Sequence, residues 1–112
     1  MNLKLGVPCS KIKDRIKSDD INCSSEVQAM GIAAGMYLGG KKVSVYMQNS
    51  GLFTIGDIVL SLYKPYEIPL PKLLLSIRHK PHHHFYAGNK TYEFLELLEY
   101  TDNVEIVEQS GD

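Results

Sequence analysis

The sequence has no tryptophan, only two cysteines, and no apolar run approaching the roughly 20 residues needed to span a bilayer. Cys9 and Cys23 have neither CxxC spacing nor a second pair, which excludes a zinc ribbon or a disulfide framework and suits a reducing compartment. Neither sign of charge dominates: 12 Lys and Arg stand against 13 Asp and Glu, spread along the chain. That leaves no electrostatic footprint for nucleic acid or an anionic membrane. Met1 to Gly6 lacks the apolar core of a signal peptide, so a soluble, cytoplasmic protein is expected. There is no repeat, linker or low-complexity tract. With 112 residues, 44% hydrophobic and 22% charged, the expectation is one globular domain over 1–112.

Three segments read as buried strands, over 42–47, 72–77 and 104–107. Shorter strands are expected over 2–7 and 20–23. Each precedes a helical pattern with a serine at its cap: Ser10 before a helix over 11–17, and Ser25 before one starting at Glu26, with Gln28 placed for a capping box. Further helices fit 55–63 and 89–100. Strands alternating with helices predict an α/β fold, a mostly parallel sheet covered on both sides.

The helix over 25–38 has no charged residue after Glu26 and is dense in Ala and Gly. A surface helix keeps a polar stripe, so burial on more than one side is expected, against its own sheet and against another chain. Glu26 is the sole carboxylate between Asp20 and Asp57. By position alone it suits the positive end of the helix dipole.

Gly6-Val7-Pro8-Cys9-Ser10, Glu26 with Gly31 to Leu38, Tyr46-Met47-Gln48-Asn49-Ser50-Gly51-Leu52, Ser61-Leu62-Tyr63-Lys64 and Ile68-Pro69 occur in that order. In these landmarks the chain resembles the α subunits of sulfopyruvate decarboxylase and the related phosphonopyruvate decarboxylases, which are thiamine-diphosphate-dependent. The resemblance implies the pyrimidine-binding domain of such enzymes. It implies that Glu26 hydrogen-bonds N1′ of the aminopyrimidine, where a shared proton prepares the cofactor to attack a 2-oxoacid carbonyl. An apolar helix beside that carboxylate would favour proton sharing. Gln48, Asn49, Ser50 and Gly51 match the strand-end loop near cofactor and substrate; as plain chemistry, Asn-Ser-Gly is also an ordinary turn. Arg78 and His84, with His79 and Lys80, offer charge-assisted donors for a sulfonate or phosphonate, or form a solvated loop. The run His82-His83-His84 lacks a fixed ligand geometry, and no metal site is expected.

The pattern also departs from the family. Phe53-Thr54 replaces Gly-Asn after the loop, the loop after Arg78 is short, and a domain trimmed of the helix before its first strand is expected. No Gly-Asp-Gly motif is present: Gly56-Asp57 runs into Ile58, and Gly111-Asp112 ends the sequence. The resemblance therefore implies a separate β subunit that binds the diphosphate and holds Mg²⁺, with self-association of this chain and a small 2-oxoacid as substrate. A catalytic α subunit competes with a non-catalytic interaction subunit or remnant, and with a metal-binding module built on the histidines. Retention of Glu26 favours the first.

Overall fold

The computed structural model describes residues 3–108. The expected strand start at Asn2 and the terminal Gly111-Asp112 lie outside them. Five strands, β1 (Lys4–Gly6), β2 (Ile21–Asn22), β3 (Ser44–Gln48), β4 (Lys72–Ile77) and β5 (Val104–Glu108), form one parallel sheet in the order β2-β1-β3-β4-β5. The apolar run of β4 is buried from Leu73 to Ile77, as a strand flanked by two others demands. Gly6 is obligatory in β1, since a Cβ there would stand 2.0 Å from the Tyr46 carbonyl oxygen of the neighbouring strand.

From β2 onward each crossover advances the sheet in one direction. Right-handed connections then put all their helices on one face. On that face Val45, Met47, Leu73 and Leu75 pack with Ala29, Met30, Ile55, Val59 and Leu95. The β1 to β2 connection runs the other way and covers the opposite face, where, among the described residues, the buried cluster is Ile12, Tyr46 and Leu74, with Cys9, Ile16 and Val107 packed against it. Coverage of the sheet is thus uneven. The helix expected over 11–17 is a single 3₁₀ turn, Lys13–Arg15. Its stretch carries only Ile12 and Ile16 as apolar residues and sets like charges four apart, Lys11 with Arg15 and Lys13 with Lys17, which disfavours continued helix.

Helix α1 (Glu26–Leu38) begins where the sequence places it: Ser25 is the N-cap and its Oγ accepts from the Gln28 N–H at 3.1 Å. The return bond of the capping box is displaced by one residue, with Gln28 Oε1 accepting from the N–H and hydroxyl of Ser24 at 2.7 and 2.9 Å. The helix stops at Gly39-Gly40, where Gly40 takes φ 91° and lets the Lys41 N–H reach the Met36 carbonyl. Burial on several sides is not met within one chain. Ala29, Met30, Ala33 and Ala34 are buried, while Val27 and Leu38 are 42% and 72% exposed.

Residues 49–63, expected as a loop followed by a helix, coil from the end of β3 onward as α2 (Asn49–Leu52), a 3₁₀ turn (Phe53–Ile55), α3 (Gly56–Ile58) and a π turn (Val59–Tyr63). Asn49-Ser50-Gly51 starts a helix because the Asn49 amide is drawn to the Arg78 backbone instead of its own. The π turn sets the Tyr63 hydroxyl to donate to the Met30 carbonyl at 2.5 Å, tying this stretch to α1. Helix α4 (Phe85–Leu97) starts and ends earlier than the expected 89–100. It grows out of a 3₁₀ turn at His82–His84 and ends where Glu99 turns to φ 54° and the buried Tyr100 hydroxyl caps the Pro71 carbonyl. Among the described residues no helix is long and apolar enough to cross a membrane.

Candidate functional site at the carboxyl ends of the strands

In an open parallel sheet, ligands bind beyond the carboxyl ends of the strands, where the strand order reverses. Here that point lies between β1 and β3. Gly6 to Cys9 leave β1 on one side, Gln48 to Gly51 leave β3 on the other, and the first turn of α1 brings in Glu26.

The Glu26 carboxyl group lies against the α carbon of Gly51: a Cβ at that glycine would be 2.2 Å from Glu26 Cδ and 2.3 Å from Oε2. Glu26 is half-buried. Among the described residues no hydrogen bond or ion pair engages its carboxylate. The site therefore has an unpaired acid at a helix N-terminus, over a floor with no side chain.

Gln48 and Ser50 flank it. Gln48 Nε2 donates to Ser50 Oγ at 3.0 Å, and Gln48 Oε1 accepts from the Cys9 thiol at 3.2 Å. Ser50 is exposed. Asn49 differs from its neighbours, being fully buried. Its amide donates to the Arg78 carbonyl and to Thr91 Oγ1, both at 3.2 Å, and accepts from the Arg78 N–H at 3.1 Å. With its donors spent inside the chain, the Asn49 side chain sets the position of Arg78.

Arg78 leaves β4 beside this site. Its Nε is buried and has no hydrogen-bond partner among the described residues, a donor left for something else to satisfy. His84 shares its electrostatic neighbourhood: burial, then the charges of His83 and Arg78, hold its imidazole below the usual pKa, so it is neutral at pH 7. The loop between them is pressed onto α4 at Gly88, where a Cβ would meet the His79 ring at 2.4 Å and the Arg78 carbonyl oxygen at 2.7 Å. Among the described residues no three His, Cys, Asp or Glu side chains gather as metal ligands.

The Phe53-Thr54 departure is absorbed by packing. The Phe53 ring sits 4.9 Å from that of Phe94 in α4, and the Thr54 hydroxyl donates to the Gly51 carbonyl at 2.6 Å. Asp57, of the interrupted Gly-Asp pair, accepts from the Ser61 hydroxyl at 2.9 Å on an exposed surface. A cleft of about 260 Å³ lined by Tyr37, Lys42, Tyr63 and Pro69 opens at the amino ends of the strands, away from Glu26.

Glu26, Gln48, Ser50 and Gly51 thus come together at one crest, with Arg78 joined to it through Asn49. Sequence reasoning assigned no role to Cys9 or Ser76. The available signal for Ser76 was a lone hydroxyl in the apolar run of β4, fully buried and 3.8 Å from the Cys9 sulfur.

No family model matches the chain. It is homologous to the sulfopyruvate decarboxylase α subunit of Methanocaldococcus jannaschii, at 41% identity over 66% of this chain and 46% of the relative. The α subunit of Methanococcus maripaludis is 37% identical over 66% of this chain and 47% of its own length. A phosphonopyruvate decarboxylase of Streptomyces viridochromogenes is 31% identical over 84% of this chain and 26% of its own. The chain therefore spans about half the length of the α subunits it matches.

Proposed function

We propose that this relative of the sulfopyruvate decarboxylase α subunits is the pyrimidine-binding half of a thiamine-diphosphate-dependent decarboxylase, acting on a 2-oxoacid that bears a sulfonate or phosphonate. The observation that carries the reading is the unpaired Glu26 carboxylate above the bare Gly51 α carbon, at the point where the strand order reverses. An acid without a protein partner, lying against a glycine that puts no side chain in its way, fits a protonatable ring nitrogen. Mg²⁺ finds no matching ligand set here: among the described residues no three His, Cys, Asp or Glu side chains gather, and Asp57 of α3 stands on an exposed surface with only the Ser61 hydroxyl beside it. A separate β subunit would hold it together with the diphosphate, with this chain self-associating in the complex.

When bound, the cofactor would supply the electron sink for the bond broken as carbon dioxide leaves. Glu26 would hold and share the proton at the aminopyrimidine N1′. A carboxylic acid is required there because an amide of the same shape cannot exchange a proton. Gln48, Ser50 and Gly51 would border the reacting carbon. Arg78, through its free Nε, and the neutral imidazole of His84 would take the substrate's remote anion, and Asn49 keeps Arg78 in place.

The test is Glu26→Gln in the complex reconstituted with the diphosphate-binding subunit. Folding should persist while turnover falls by about 10²- to 10⁴-fold, the usual effect of losing one positioned acid-base group. Proton exchange at the cofactor's C2 should slow in parallel. If exchange and turnover match the parent protein, Glu26 is only a helix-start residue, and the chain is better read as a non-catalytic subunit.

A further inference from the structure

Gln48 is the one residue of the crest whose side chain is clasped at both ends. Its carbonyl accepts from the Cys9 thiol at 3.2 Å, and its amide nitrogen donates to Ser50 Oγ at 3.0 Å. The clasp has a buried footing. Ser76, fully buried, is the register partner of Gln48 across β3 and β4, and its hydroxyl lies 3.8 Å from the Cys9 sulfur. Cys9 also packs against the cluster of Ile12, Tyr46 and Leu74, which limits its freedom to turn away.

The chemistry of the clasp has a direction. A primary amide can be held in either of two flips, with oxygen and nitrogen exchanged, unless its partners choose. The Cys9 thiol has one S–H and gives it to the nearer acceptor, Gln48 at 3.2 Å, rather than to Ser76 at 3.8 Å, so the end of Gln48 facing Cys9 is the carbonyl and the end facing Ser50 is the NH₂. Ser50 Oγ must then accept, which leaves its O–H proton to be donated outward from the crest. Ser50 is exposed and precedes the glycine beneath Glu26.

We infer that Cys9 is a positioning residue: its thiol fixes the flip of Gln48 and thereby turns the Ser50 hydroxyl into a donor toward an acceptor group of the bound 2-oxoacid, its carboxylate. The role assigned to Ser50 rests on the decarboxylase reading; the flip of Gln48 does not.

Two measurements keep these apart. In the isolated chain, the side-chain amide resonances of Gln48 should move in Cys9→Ala and return in Cys9→Ser, which restores a donor at that position. In the reconstituted enzyme, Cys9→Ala should raise KM for the 2-oxoacid about 3- to 10-fold, the effect of one neutral hydrogen bond, with half-saturation by thiamine diphosphate unchanged and recovery in Cys9→Ser. Gln48→Glu, which can only accept from Ser50 and so reverses its hydroxyl, should raise KM at least as far. Unmoved Gln48 resonances in Cys9→Ala, or a KM effect that serine does not rescue, would overturn the inference. Moved resonances in a complex inactive even as the parent protein would uphold the clasp and sink the decarboxylase reading.

Discussion

The carboxyl group of Glu26 rests on the α carbon of Gly51, so closely that a Cβ there would stand 2.2 Å from Glu26 Cδ. Two segments 25 residues apart are thus matched atom to atom: the first turn of α1 supplies the acid, and the helix leaving β3 supplies a position where no side chain stands. Gly51 lies inside α2 with no left-handed backbone to excuse it, so its lack of a side chain serves the contact.

Gly51→Ala is therefore expected to separate stability from function. Alanine is the better helix former by about 0.5–1 kcal/mol, and the clashing atoms belong to the flexible end of Glu26, which can swing aside. Thermal unfolding should change little, while the displaced carboxylate lowers turnover of the reconstituted enzyme toward that of Glu26→Gln. Unchanged activity with an alanine at 51 would show that the contact is incidental.

Asn49→Ala should have the opposite profile. It removes a fully buried amide and strands the Arg78 N–H and carbonyl, while Thr91 Oγ1 loses the Asn49 donor and keeps its own bond to the Ala87 carbonyl. The expected loss of stability is about 2–3 kcal/mol, read by chemical denaturation. With Arg78 no longer held, affinity for a sulfonate or phosphonate should fall even under conditions where the variant stays folded.

The sequence made the fold legible wherever one force acted alone. The Leu-rich run of β4 matches its expected span because burial on both faces demands a nearly continuous apolar run, and Ser25 marks the start of α1 because its hydroxyl meets an N–H that has no helical partner. Expectation and structure part where distant partners decide. Asn49-Ser50-Gly51 looks like a turn until the Arg78 backbone, 29 residues away, takes the Asn49 amide. The grouping of Glu26 with Gly51 was expected from resemblance, since no local pattern signals it. The contact of Cys9, Gln48 and Ser76 joins the loop after β1 to β3 and β4 and leaves no trace in spacing.

Asp20 gives a pH prediction. Its carboxylate side chain is 2% exposed, pairs with Lys4 Nζ at 3.2 Å, and accepts from the N–H groups of Lys4 and Lys17 at 3.1 and 2.8 Å. Burial acts to raise its pKa, but those two N–H donors and the Lys4 ammonium outweigh it and hold the group below the ordinary aspartate value. A folded pKa below the unfolded one means that the stabilisation is complete above the unfolded value and is lost as pH falls through the folded one. Asp20→Asn should therefore lower the melting temperature at pH 7, and the gap between variant and parent should close as pH drops below about 4. A gap independent of pH would mean that the ionised form of Asp20 contributes nothing.

The outer face of α1 offers a last separation of effects. Val27 and Leu38 are exposed there, and a Cβ at Gly35 would meet no atom within 4 Å. Within one chain, Gly35→Ala has only the helix propensity to gain, about 0.5–1 kcal/mol, and should raise the stability of a monomer. If a second chain packs its backbone against this face in the complex, the same methyl group obstructs the approach. The expected outcome is a variant at least as stable as the parent by denaturation, yet shifted toward smaller species in sedimentation, alone and with the diphosphate-binding subunit. Leu38→Glu should shift the distribution the same way by burying a charge. Both variants sedimenting like the parent would remove this face from the assembly.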